Sequence, residues 1–95
     1  MDRKRVIKIK LSVEDRNLIL EHVPLYYPGL REKIEKKRQR NGMVSLEISE
    51  KELLELLGCV AREANHTSSR KLENELDPLF EYLESVEFQL KSRGE

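Results

Sequence analysis

One pattern, written twice, constrains this chain most. VIKIKLSVED, residues 6–15, and VSLEISEKE, residues 44–52, each alternate apolar and polar residues, reach a serine, and run into acid-rich helical sequence. Alternation with β-branched residues marks a half-buried strand. Ile7, Ile9 and Leu11 share one face and Lys8 and Lys10 the other; in the second copy Val44, Leu46 and Ile48 form the apolar face. A serine followed three residues later by an acid starts a helix, because the hydroxyl accepts from a free first-turn amide and the acid reaches back. Ser49 with Glu52 is the full box, and Ile48 with Leu53 adds a hydrophobic staple; Ser12 with Asp15 is the same device with a shorter acid.

Placing Ser12 on Ser49 aligns Ile7, Ile9 and Leu11 with Val44, Leu46 and Ile48, 37 positions apart. Each half then reads strand, capped helix, connector, helix. A lone strand leaves its backbone groups unpaired. The two strands therefore pair, with Lys8 and Lys10 suited to Glu47 across the polar faces. The expected fold is α+β and mostly helical, β-α-α-β-α-α. Its two-stranded ribbon packs on four helices, with two βαα halves from duplication or from convergence on a common grammar. Pairing could be within one chain or between two chains.

The first helix is expected from Val13 to about Val23, with Leu18, Ile19 and Val23 inward. Pro24 and Pro28 bracket a bend, Leu25-Tyr26-Tyr27. A second, exposed helix is expected over 29–40, followed by Asn41-Gly42, residues that helix endings and tight turns both prefer. The third helix, ending near Asn65 or His66, has a broad apolar side of Leu53, Leu54, Leu56, Leu57, Val60, Ala61 and Ala64. Thr67-Ser68-Ser69 offers caps for the last. There Leu72, Leu76, Leu79, Leu83, Val86 and Leu90 recur at heptad-like spacing through Pro78, which either kinks the helix, the favoured reading because the stripe keeps phase, or starts a new one capped by Asp77. The 95 residues make one domain, with residues 1–5 a basic lead-in and 91–95 a frayed end.

The segments EANHTSSRKLENELDPLFEYLE (63–84) and LSVEDRNLILEHVPL (11–25) resemble small uncharacterised bacterial proteins. They also resemble segments accompanying plasmid-encoded open-reading-frame proteins. The resemblance covers most of the chain. It implies a bacterial, cytoplasmic, helix-rich domain and transfers no activity and no site residue.

Charge divides the chain. Net charge is zero, yet residues 1–42 carry +6 and residues 43–95 carry −6. The halves can attract each other, or the basic half can meet an anion. No run is long and apolar enough for a membrane span, and the charged start lacks a signal peptide's apolar region. The expected location is the cytoplasm. The lone Cys59 excludes a disulfide within these residues.

Catalytic and metal motifs are absent. Glu63 and His66 form one E-x-x-H without the second copy a di-iron bundle needs. Cys59, His66 and His22 supply three dispersed zinc ligands where a structural site takes four. Cys59 lies among leucines that would blunt a nucleophile. No enzyme activity, metal or cofactor is expected.

Contact is left as the means of function. The leading reading is a small interaction or regulatory module that self-associates or binds another protein. Its candidate interface is Leu79, Leu83, Val86 and Leu90, with Tyr26 and Tyr27. The alternative is nucleic-acid binding through the basic half, with Lys33, Lys36, Lys37 and Arg40 on phosphates.

Overall fold

The computed structural model describes residues 6–93; the basic lead-in and the last two residues lie outside the described residues. Two strands and four helices follow in the expected order. They are β1 (Val6–Ser12), α1 (Val13–His22), α2 (Leu30–Lys36), β2 (Met43–Ser49), α3 (Glu50–His66) and α4 (Arg70–Arg93). The strands pair within the chain, antiparallel, with Ile7 opposite Ile48, Ile9 opposite Leu46 and Leu11 opposite Val44. Those six side chains are buried, and the alternation turns Lys8, Lys10 and Glu47 to solvent, with Lys8 facing Glu47 across the pair. Each apolar cross-strand pair contributes about 0.2–1 kcal/mol.

Ile9 faces Leu46, its own equivalent in the repeat. Ile7 and Leu11 face the equivalents of each other. A local two-fold axis therefore passes between Ile9 and Leu46. The two serine-capped helices leave from opposite ends of the ribbon and return over one face.

Ser12 Oγ accepts from the Asp15 amide at 3.0 Å, and Ser49 Oγ accepts from the Glu52 amide at 3.1 Å. Only Glu52 completes its box, accepting from the Ser49 amide at 2.8 Å. α1 ends at Val23, whose backbone is extended before Pro24. Ile19 and Val23 are buried there, whereas Leu18 is only half-buried.

The expected second helix over 29–40 is shorter: α2 stops at Lys36, and Lys37 is already extended. The reason is Asn41-Gly42, which closes a hairpin here instead of ending a helix. Both residues have positive φ, 55° and 77°. The Arg40 amide donates to the Met43 carbonyl at 2.7 Å, and the Met43 amide to the Arg40 carbonyl at 3.1 Å. Two successive positive-φ residues make the tight turn that matches strand twist, and they require Arg40 to be extended.

On α3, Leu53, Leu56, Cys59 and Val60 are buried, but Leu54 stays 44% exposed. Ser69 Oγ caps α4 through the Leu72 amide at 3.1 Å. α4 passes through Pro78 as one helix, with Pro78 exposed. Its residues 91–93, expected to fray, are helical. Leu72, Leu76, Leu79 and Leu83 pack with the other helices and the ribbon in one core.

Candidate interaction surfaces

A two-stranded ribbon has two open edges, and each leaves backbone donors and acceptors seeking partners. Among the described residues, the β2 edge is covered in part, on either side of Ser45. The Arg40–Met43 pair covers one end, and Lys33 Nζ donates to the Glu47 carbonyl at 3.3 Å further along. Among the described residues, the β1 edge is covered at one point, where the Lys10 amide donates to Tyr82 Oη of α4 at 2.9 Å. Backbone groups alternate in direction along a strand, so the amide and carbonyl of Lys8 also point outward. There they face a groove of about 650 Å³ between β1 and the second half of α4, lined by Val6, Ile7, Lys8, Tyr82, Ser85, Val86, Gln89 and Leu90.

The expected interface residues separate into groups. Leu79 and Leu83 are buried in this chain's own core, at 1% and 0% exposure, and present no surface to a partner. Val86 and Leu90 are half-buried and line the groove. Tyr26 is exposed, and Tyr27 packs against the core; neither lines the groove. The bend that carries them is tied down by Arg31, whose Nη2 donates to the Leu20 carbonyl at 2.8 Å.

A second surface lies on the solvent side of the ribbon, beyond the end of α2. It is a basin of about 890 Å³ lined by Lys10, Lys36, Lys37, Arg38, Gln39, Arg40, Asn41, Met43 and Ser45. Five of these nine side chains are cationic and none is acidic, which leaves the basin's charge uncompensated by its own lining. Its backbone is held at several points. Arg16 Nη1 donates to the Lys37 carbonyl at 3.3 Å, and the Val13 amide donates to the Gly42 carbonyl at 3.1 Å. Arg16 Nε is buried with no hydrogen-bond partner among the described residues.

Of the four expected phosphate contacts, Lys36, Lys37 and Arg40 meet in this basin. Lys33 does not. Its Nζ lies 2.9 and 3.2 Å from the two Glu52 carboxylate oxygens. Lys10 and Arg38 join the basin without having been singled out by spacing. Lys10 arrives because it stands opposite Ser45 in the ribbon, and Arg38 because the chain leaves the helix one residue before it.

The Cys59 thiol donates to Glu55 Oε2 at 3.5 Å, and burial first, then that carboxylate, pushes its pKa up. His22 Nε2 lies 3.8 Å from Glu21 Oε1. Among the described residues, no group of three or more His, Cys, Asp or Glu side chains is placed to hold a metal ion. The chain matches no family model, no curated protein and no solved structure.

Proposed function

We propose that the chain is a small protein-interaction module whose β1 edge takes an extended segment of another protein. The observation that carries this reading is the groove at Val6–Lys8: among the described residues β2 is covered by Lys33 and the 40–43 turn on either side of Ser45, whereas β1 is met by Tyr82 at Lys10 and borders a groove beyond it. A strand added there gains main-chain hydrogen bonds, and alternate side chains supply specificity. One set would lie toward Val86 and Leu90, so it should be apolar. The other would lie beside Lys8 and Lys10, so it should be acidic. A second copy of β1 fits less well, because it would set these lysines against their own kind. Burial of Leu72, Leu76, Leu79 and Leu83 also removes most of the stripe that suggested self-association.

No helix among the described residues is long and apolar enough to cross a membrane. A cytoplasmic setting belongs to the same proposal and rests on the sequence resemblance.

The test is amide chemical-shift mapping with a short blocked peptide alternating glutamate and valine, and the same peptide with lysine for glutamate. Light scattering is run in parallel. The expected result is a mass near 11.2 kDa. The acidic peptide should shift Val6–Lys8 and residues 82–90, and Val86→Asp should abolish those shifts. A dimer that Val86→Asp dissociates would replace this reading with self-association. Equal response to the lysine peptide would overturn the charge argument.

A further inference from the structure

We infer that the solvent face of the ribbon and its basic basin bind duplex DNA, with the ribbon in the major groove and the loop after α2 on the flanking phosphates. The basin is separate from the β1 edge groove; Lys8, which lines that groove, enters here only as a base contact.

The first is charge. Lys36, Lys37, Arg38 and Arg40 gather with Lys10 in one basin without a lining carboxylate. A concave surface of one sign calls for an anion. The second is order. The loop backbone is fixed by Arg16, by the Val13 amide and by the Arg40–Met43 turn. Cations on a held backbone lose less entropy on binding.

The third is shape, which selects the polyanion. Strands in a sheet stand about 4.8 Å apart, and the B-DNA major groove, about 12 Å wide, admits a two-stranded ribbon. Among the described residues, this ribbon carries its helices on one face and presents Lys8, Lys10 and Glu47, all exposed, on the other. Seven-residue strands at about 3.4 Å per residue give it a length of about 24 Å. Duplex RNA hides its major groove from side chains. Single strands are held by aromatic stacking, and the basin has no aromatic residue in its lining. In the groove, Lys8 and Lys10 are donors suited to guanine O6 and N7, and Glu47 is an acceptor suited to cytosine N4.

The magnitude is testable. Four phosphate contacts, from Lys36, Lys37, Arg38 and Arg40, give a slope of log K against log salt of about −3.6, or about a 150-fold loss between 50 and 200 mM salt. The experiment measures fluorescence anisotropy with a 20-base-pair duplex DNA, its single strand, the matching duplex RNA and phosphatidylserine vesicles. Duplex DNA should bind most tightly. Replacing Lys37, Arg38 and Arg40 by Gln should bring the slope to about −0.9. Lys71→Gln, outside the basin, should leave it unchanged. Glucosylated hydroxymethylcytosine, which fills the major groove, should weaken binding at least tenfold. The inference is overturned by no duplex binding at 50 mM salt, by tighter binding to any other probe, by an unchanged slope in the triple variant, or by indifference to glucosylation. Circular dichroism confirms that these exposed substitutions leave the fold intact.

Discussion

Glu52 joins three elements, and its removal should act in separable steps. Its carboxylate accepts from the Ser49 amide at 2.8 Å, closing the α3 capping box, and pairs with Lys33 of α2. Glu52 is 8% exposed overall, whereas the Lys33 side chain is 40% exposed. The ion pair is therefore solvent-screened and contributes about 0.5 kcal/mol, and the hydrogen bond to the Ser49 amide about 1 kcal/mol. Glu52→Ala should cost about 1.5–2 kcal/mol, a fall in Tm of about 6–16 °C for a domain of this size. Glu52→Gln keeps an acceptor for the Ser49 amide and loses only the charge, about 0.5 kcal/mol. Glu52→Asp is too short to reach, as Asp15 shows in α1, and should cost about 1 kcal/mol.

The pH dependence adds a second readout. Burial raises the Glu52 pKa, but the hydrogen bonds from Lys33 and Ser49 and the lysine charge outweigh it and hold it below the usual 4.5. A carboxyl with a lowered folded-state pKa stabilises above its unfolded value and loses that contribution as pH falls through the folded one. The gap between wild type and Glu52→Gln should therefore be full at neutral pH and close below about pH 4.5. Asp15 runs the other way. Burial raises its pKa above 3.8 despite the Ser12 hydrogen bond, so its contribution is present in acid and lost as pH rises. Urea melts from pH 3 to 7 measure both effects. Equal losses for Ala and Gln at neutral pH, or a gap that persists in acid, would refute the assignment.

Gly58→Ala should stabilise the fold by about 0.5–1 kcal/mol, because a mid-helix glycine is unfavourable and nothing lies within 4 Å of an added Cβ; thermal melting that shows a lower Tm would contradict this. Leu83→Ala should cost about 2–5 kcal/mol because the side chain is fully buried. Val86→Ala, on the groove wall, should cost less than about 1.5 kcal/mol. Denaturant midpoints that rank these two in reverse would show that α4 packs in another register.

Much of the architecture is legible in the sequence, because strand alternation and helix caps are local signals that agree with each other. Ser12, Ser49 and Ser69 each mark a helix start that the structure uses. What local pattern leaves open is who covers whom. The α4 stripe announces an apolar face, but whether a second chain or α3 covers it is a tertiary matter, and Leu79 and Leu83 lie in the core of this chain. Asn41-Gly42 serves equally as a helix stop and a hairpin turn. Met43 and Val13, which take up the backbone groups of Arg40 and Gly42, decide in favour of the hairpin. Lys33 looks free on its own helix and finds Glu52 only through a contact 19 residues away. Tyr82 lies between stripe residues and gives no sign that its hydroxyl caps a strand edge.

The repeated junction answers a geometric demand whether or not the halves share an ancestor. Antiparallel strands end at opposite ends of the ribbon, so two serine-capped helices can cover its apolar face from both sides. The backbone is locally two-fold about Ile9 and Leu46, but the solvent face is not: the equivalents of Lys8 and Lys10 are Ser45 and Glu47. The helices diverge as well. α1 and α2 have 10 and 7 residues, whereas α3 and α4 have 17 and 24. A symmetric pair would close both edges alike or leave both open. Here the short α2 ends early and sends a cationic loop beside β2, while α4 extends about 15 Å past Leu83 and leaves a groove beside β1. Both candidate surfaces thus arise where the halves differ. A variant that shortens α4 after Leu83 would remove one surface and leave the other in place.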